Sequence, residues 1–326
     1  MNRKNFLRGV AALALAATGA TDAADPWPTR PVRIVVPVPP GGPSDAYARA
    51  MAQRMGEEWG HQVIVDNKPG AGEIVGAQLV AKAPADGHTM LFTTESAIML
   101  NKFAFLKPGY DVEKDLLPVT QMISGPLVLV VPASLPVNTL DEFVALARSR
   151  KDKPMTYGSA GIGSVLQLAM VSLAQQEKLD LVHAPYRGAA PLMQDLVSGQ
   201  VDSGWVGVSG AVPFVRDRKL KALVVGGTHR AKALPDTPVY RETKTRPSRA
   251  DFLFGLVAPA GTPAAVAEKV AATVRKIQSD PKFRETHMDP FGYESIASTP
   301  AEFARFIAND RPLQGDRIRL SGLKPE

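Results

Sequence analysis

Val32-Arg33-Ile34-Val35-Val36 runs directly into Pro37-Val38-Pro39-Pro40-Gly41-Gly42-Pro43-Ser44-Asp45. A five-residue run rich in β-branched apolar side chains, with no sustained polar alternation, describes a strand covered on both faces. The prolines and glycines end it abruptly. From Ser44 to Trp59, the apolar residues Ala48, Met51, Ala52, Met55 and Trp59 recur at helical spacing. Strand, stiff loop, helix is the unit of an open α/β sheet, in which ligands sit beyond the carboxyl ends of the strands. A helix start offers unpartnered N–H groups and a positive dipole end to an anion, and Ser44 or Asp45 can also cap it. The loop therefore reads equally as an anion-binding turn and as a stiff connection to a capped helix.

The same rhythm continues outward. Residues 62–65 and 89–93 are strand-like, Asn67-Lys68-Pro69-Gly70 and Asp86-Gly87 are turns, and residues 74–83 fit a helix. Strands are predicted at 127–131 and 155–157, a helix from about 165 to 177, and segments 181–184, 189–198, 203–206, 220–225 and 254–258 extend the pattern. Thr139 and Glu142 form a capping box ahead of a helix to Arg150. Thr262 with Pro263, and Thr299 with Pro300, open two more helices. Alternation of this kind predicts α/β architecture with mostly parallel sheets. At roughly 150 residues per domain, the 326 residues suggest two domains. Pro/Gly punctuation at Gly125-Pro126 and at 259–261 marks 127–131 and 254–258 as chain crossings. One lobe would then comprise residues 24–124 and 253–326, the other 125–252.

A second loop stands in the same context: Gly158-Ser159-Ala160-Gly161-Ile162-Gly163-Ser164. Ser159 and Ser164 add hydroxyls to its backbone N–H groups. No Lys follows the last glycine, so it is not a phosphate-binding loop. If helix starts from two domains face each other, they hold a small anion without a lysine or arginine; the plainer reading is a flexible surface connection. Gly70, Gly72 and Gly76 are spaced one residue too long for a dinucleotide fingerprint. Arg187, after Tyr186, either presents its guanidinium to a carboxylate or points outward from a turn.

Composition narrows the function. Hydrophobic residues are 45% and charged residues 21%, with no block of one sign, which excludes a disordered chain. The absence of cysteine excludes a disulfide scaffold, a Cys-ligated zinc site and a thiol nucleophile. The five histidines are scattered without H-E-x-x-H spacing and are expected mostly on surfaces or turns; neither metal nor cofactor is expected. No serine stands in a G-x-S-x-G elbow. The basic stretch Lys244, Arg246 and Arg249 lacks interleaved aromatics, and no nucleic-acid partner is expected. Arg3, Lys4 and Arg8, then an apolar run from Val10 to Ala17 and small residues to Ala24, predict an export signal cleaved after Ala23. Its removal lowers the formal charge of +6 by two.

Taken together, the residues resemble a known family. Trp27-Pro28, Arg30-Pro31, the strand at 32–36 and Pro39-Pro40-Gly41-Gly42 with Asp45 look like the start of Bug-type periplasmic solute-binding proteins, receptors of tripartite tricarboxylate transporters. Asn67-Lys68-Pro69-Gly70, Ala83-Pro84 with Asp86-Gly87, Tyr157-Gly158-Ser159, Pro185-Tyr186-Arg187-Gly188, Gly199-Gln200-Val201-Asp202 and Ala258-Pro259-Ala260-Gly261-Thr262-Pro263 continue the likeness in the family's order. The resemblance implies a type II periplasmic-binding-protein fold: two α/β lobes around a ligand cleft, joined by a two-crossing hinge. It implies that Val38, Pro40, Gly41, Gly42, Ser44 and Asp45, then Thr94, Ser96 and Ala97, then Gly158, Ser159, Ala160, Gly161, Ser164 and Tyr186, and Val206 line that cleft. Relatives commonly carry glycine where Glu73 stands and histidine where Gln167 stands. Val206 stands where several amino-acid-binding relatives have Asp, which implies a ligand without an ammonium group.

The function expected is therefore that of a monomeric periplasmic receptor, not an enzyme. It would close on a small organic carboxylate and deliver it to the membrane permease subunits of a tripartite tricarboxylate transporter. A ligand-sensing receptor for a signalling partner is the alternative, and a secreted α/β hydrolase a more distant one. A bulky residue in place of Ser159 is expected to abolish binding and spare folding.

Overall fold

Residues 27–227, 229–245, 250–320 and 322–325 are described by a computed structural model. The expected export signal, residues 1–23, lies outside them, as do Arg246 and Arg249. β1 (Val32–Val36) pairs in parallel with β2 (Val63–Asn67) on one side and β3 (Thr89–Thr93) on the other. Helix α1 (Pro43–Trp59) packs Ala48, Met51, Ala52 and Met55 into the core, the face its spacing predicts. Helix α2 (Ile74–Ala81) returns the chain to β3.

The second half repeats the pattern. Helix α3 (Leu140–Ser149), strand β5 (Met155–Ser159), helix α4 (Val165–Glu177), strand β6 (Leu181–Pro185), helix α5 (Ala189–Ser198) and strand β7 (Ser203–Gly207) follow in order. β5 pairs in parallel with β6 and β7. Helix α6 (Val208–Arg216) and strand β8 (Leu220–Val225) complete this half.

A single 17-residue strand, β4 (Leu116–Pro132), joins the halves. From Leu116 to Pro126 it pairs with β9 (Asp251–Pro259), and from Leu127 onward with β7 and β8. β9 carries the chain back and pairs with β3. The order is β2-β1-β3-β9-β4-β7-β5-β6, with β8 and the two-residue β10 (Glu294–Ser295) also on β4. The expectation of mostly parallel sheets needs correction, because every pairing of β4 and β9 is antiparallel. One strand carries the chain out and the other carries it back, so they must oppose each other. The predicted strand at 127–131 is only the distal part of β4; Pro118, Gly125 and Pro126 mask the rest in the sequence.

The helix starts differ in how they are capped. Thr139 Oγ1 accepts from the Glu142 N–H at 3.1 Å, while Glu142 reaches the Asn138 N–H at 2.6 Å, one residue before the cap. Thr299 and Glu302 form the full reciprocal pair at the head of the last helix, α9 (Pro300–Leu320). Thr262 does not cap: its hydroxyl donates to the Pro259 carbonyl at 2.8 Å, and helix α7 (Ala264–Ser279) starts after Pro263 with no side-chain cap. A short helix, α8 (Pro281–His287), leads to β10. Among the described residues no helix is long and apolar enough to cross a membrane.

Candidate functional site

The loop after β1 is built around one buried carboxylate. Gly41 takes φ +89, a conformation suited to glycine. Gly42 is the extended residue before α1, Pro43 occupies the first turn, and no side chain caps the helix. Ser44 and Asp45 thus do not act as the expected caps, because the helix begins before them. Their own N–H groups fall among the first-turn donors that lack intrahelical partners. Asp45, only 3% exposed, accepts from the Gly41 N–H at 3.0 Å, Arg49 Nε at 2.9 Å and Asn67 Nδ2 at 2.8 Å. Asn67, the last residue of β2, also donates to the Val38 carbonyl at 3.0 Å. Burial opposes ionisation of Asp45, but the bonds from Arg49, Gly41 and Asn67 outweigh it and hold the carboxyl below its usual range. Asp45 therefore shapes the loop from behind, and Pro40 and Gly41 form its exposed tip.

The end of β3 lies beside that loop. β1 and β3 are parallel neighbours, with Val35 opposite Leu91, so their carboxyl ends emerge at the same level. Here the donors are taken by the chain itself. Thr94 Oγ1 donates to Glu73 Oε1 at 2.6 Å, and the Thr94 N–H approaches Oε2 at 3.3 Å. The Ala97 N–H also bonds to this carboxyl. Ser96 donates its N–H to Thr94 Oγ1 at 3.2 Å. Burial pushes the Glu73 carboxyl up to about 7, against the opposing effect of these bonds.

The loop after β5 is held by a closed chain of bonds. Gly163 N–H donates to Gln167 Oε1 at 2.7 Å, which turns Gln167 Nε2 toward His183 Nδ1 at 3.2 Å. The imidazole then carries its proton on Nε2 and donates to Ser159 Oγ at 2.7 Å. Ser159 in turn donates to the Gly161 carbonyl at 2.9 Å and accepts from the Gly161 N–H at 3.2 Å. Ser164 caps α4 through the Gln167 N–H and donates to the Gly161 carbonyl at 2.7 Å. Burial lowers the pKa of His183, and its ring stacks on Tyr157 at 4.8 Å between centroids. Gly161 and Gly163 take φ +134 and +74, and a methyl on Gly163 would stand 3.0 Å from the Ala104 Cβ. This loop therefore rests on the segment that follows β3.

The predicted residues thus divide. The β1 and β3 loops are brought together by strand register, and the β5 loop meets the chain after β3. Val38 and Ala160 are half-buried against the same core cluster. Gly158 is buried, and a side chain there would strike Leu192. Tyr186 commits its hydroxyl to Asp195 Oδ2 at 2.7 Å. The expectation for a Ser159 replacement needs correction. Ser159 is 0% exposed, so a bulky replacement would disrupt the loop itself. Val206 is 1% exposed and packs within the core cluster, so its side chain is not presented at a loop surface. Of the histidines, His88 is buried, its Nε2 accepting from the Thr29 N–H at 3.3 Å, and His183 is half-buried. Arg49 and His183 were not singled out by the sequence; Asn67 stood in a turn motif, and Glu73 and Gln167 stood out against the family resemblance.

Two cavities, of about 810 and 460 Å³, lie elsewhere. The larger is bounded by the paired charges of Lys102, Glu113 and Arg311 beside α9. Neither is lined by residues of the three loops. The geometry of backbone donors, not cavity size, marks the candidate site.

Residues 47–323 match the family model described as tripartite tricarboxylate transporter family receptor. The chain is 34% identical, over 95% of its length and 92% of the relative's, to a UPF0065 protein from the tcbD-tcbE intergenic region of Pseudomonas sp. strain P51. It is 28% identical to BugT of Bordetella pertussis, over 96% and 95% of the two chains. Among solved structures, an adipate-bound protein of R. palustris matches with TM-score 0.86 and 27% identity, over 92% of this chain and all of that one. MatC of Rhodopseudomonas palustris with bound malate matches with TM-score 0.80 and 30% identity, over 90% and 100%. The fold is accordingly the mixed α/β periplasmic-binding-protein fold of the Bug structures. With the family model matched over most of its length, the chain belongs to the tripartite tricarboxylate transporter receptor family, a family of periplasmic solute-binding receptors and not of enzymes.

Proposed function

We propose that this protein is an extracytoplasmic receptor that captures a small organic carboxylate between two lobes, residues 24–124 with 253–326 and residues 125–252, and passes it to the permease subunits of a tripartite tricarboxylate transporter. The observation that carries the carboxylate is the uncapped start of α1, whose loop is braced from behind by Asp45. First-turn donors with no side-chain cap, at the positive end of a 17-residue helix, suit an anion. The relatives solved with adipate and malate support the same ligand class. Residues 1–23 direct export, and the mature receptor acts in the periplasm as a monomer.

Capture begins with the carboxylate meeting the N–H groups at the β1 loop. The β5 loop, kept in one shape by His183 and Gln167, then covers it from the other lobe. Each hydrogen bond to a charged group contributes roughly 1.5–3 kcal/mol. A thermal-shift screen of carboxylates against the purified mature protein tests the reading. A ligand at 100 times its dissociation constant stabilises by about 2.7 kcal/mol, a clear rise in melting temperature. A broad panel with no such rise would refute the reading.

A further inference from the structure

The turn that carries Glu73 is unusual in its backbone. Glu73 has φ 77 and ψ −4, the left-handed region that favours glycine. A side chain held there is strained, and strain of this kind persists only where surrounding structure imposes it. Asn101 supplies part of that structure. It donates to the Gly72 carbonyl at 2.8 Å, and Tyr110 Oη locks the neighbouring turn by donating to the Ala97 carbonyl at 2.6 Å.

This bracing aims the Glu73 carboxylate at the end of β3, where it takes the Thr94 hydroxyl and N–H and the Ala97 N–H. Two things follow for a ligand held at the adjacent β1 loop. The strand end beside it has already spent these donors on an internal acid. It also holds a fixed carboxyl that resists a second negative charge. A second buried acid, Glu95, stands in the same turn.

We propose that Glu73 is a specificity-determining residue that restricts this receptor to monocarboxylates, the end of the ligand that lies over β3 being uncharged. The inference rests on the carboxylate reading above and narrows it.

The test is calorimetric titration at pH 8 of the wild type, E73G and E73Q. The probes are straight-chain C4–C8 monocarboxylates, the α,ω-dicarboxylates and ω-amino acids of the same lengths, and benzoate with terephthalate. Glycine is at home at φ 77, so E73G should fold. The wild type should bind a monocarboxylate at least tenfold more tightly than its dicarboxylate partner. Both variants should narrow that ratio at least fivefold. A wild type that prefers a dicarboxylate or an ω-amino acid, or a ratio unchanged in E73G, would overturn the inference and leave the carboxylate reading intact. If no carboxylate binds, here or in the wider screen, that reading falls and the inference with it.

Discussion

At the scale of single residues, polar side chains near the three loops serve chiefly to hold backbone in place. Asp45 faces Gly41, Arg49 and Asn67; Ser159 faces His183; Thr94 faces Glu73. On the function proposed above, what such a scaffold leaves for a ligand is main-chain N–H at the start of α1. Glu73 also gives a pH signature. Its folded-state pKa, about 7, lies above the ordinary value of 4.5. The folded protein therefore holds the extra proton. This contribution to stability is fully present below about pH 4.5 and is lost as the pH rises through 7. The full swing is about 3 kcal/mol. Denaturant unfolding of the wild type relative to E73G should show the wild type losing ground by up to that amount between pH 4.5 and 8. A constant difference across the range would show that Glu73 does not titrate in this way.

At the scale of elements, the crossing between the halves depends on close packing at a few small residues. A Cβ on Gly125 would stand 2.4 Å from the Phe252 ring. That ring is itself hemmed by Phe254 at 4.9 Å and Tyr293 at 5.9 Å between centroids, so it has little room to yield. Gly125→Ala should therefore cost about 1–3 kcal/mol, the usual range for overpacking. Chemical denaturation reads this directly, and an unchanged midpoint would mean that the Phe252 ring yields to the added methyl. Existence and type of the elements were largely legible: β1, α1, β3 and β8 have the periods expected of them. The antiparallel β4–β9 pair was not, since neither strand declares its partner in its own spacing.

At the scale of the whole molecule, β4 couples the halves. It contributes buried residues to one large core cluster that includes Ile34 and Met51 on one side and Leu140 and Trp205 on the other. Such continuity predicts unfolding as one cooperative unit. Trp27 and Trp59 report on the first half, and buried Trp205 on the second. Fluorescence melts of W205F and of the W27F/W59F double variant should each coincide with the circular-dichroism melt of the same protein. Two separated transitions within one variant would show that β4 does not transmit stability between halves.

The sequence by itself determined where most strands and helices lie, which helix faces are apolar and which loops follow strands, though not the full length of β4 or its antiparallel pairing with β9. The features it determined follow from spacing and turn chemistry within a few residues. Only the tertiary structure decided what each polar side chain in those loops faces. Asp45 meets Asn67 22 positions away, Glu73 meets Thr94 21 away, and Ser159 meets His183 24 away. A hydrogen-bond partner is chosen by which strand ends the sheet sets side by side, and that order depends on long-range packing which no local pattern records.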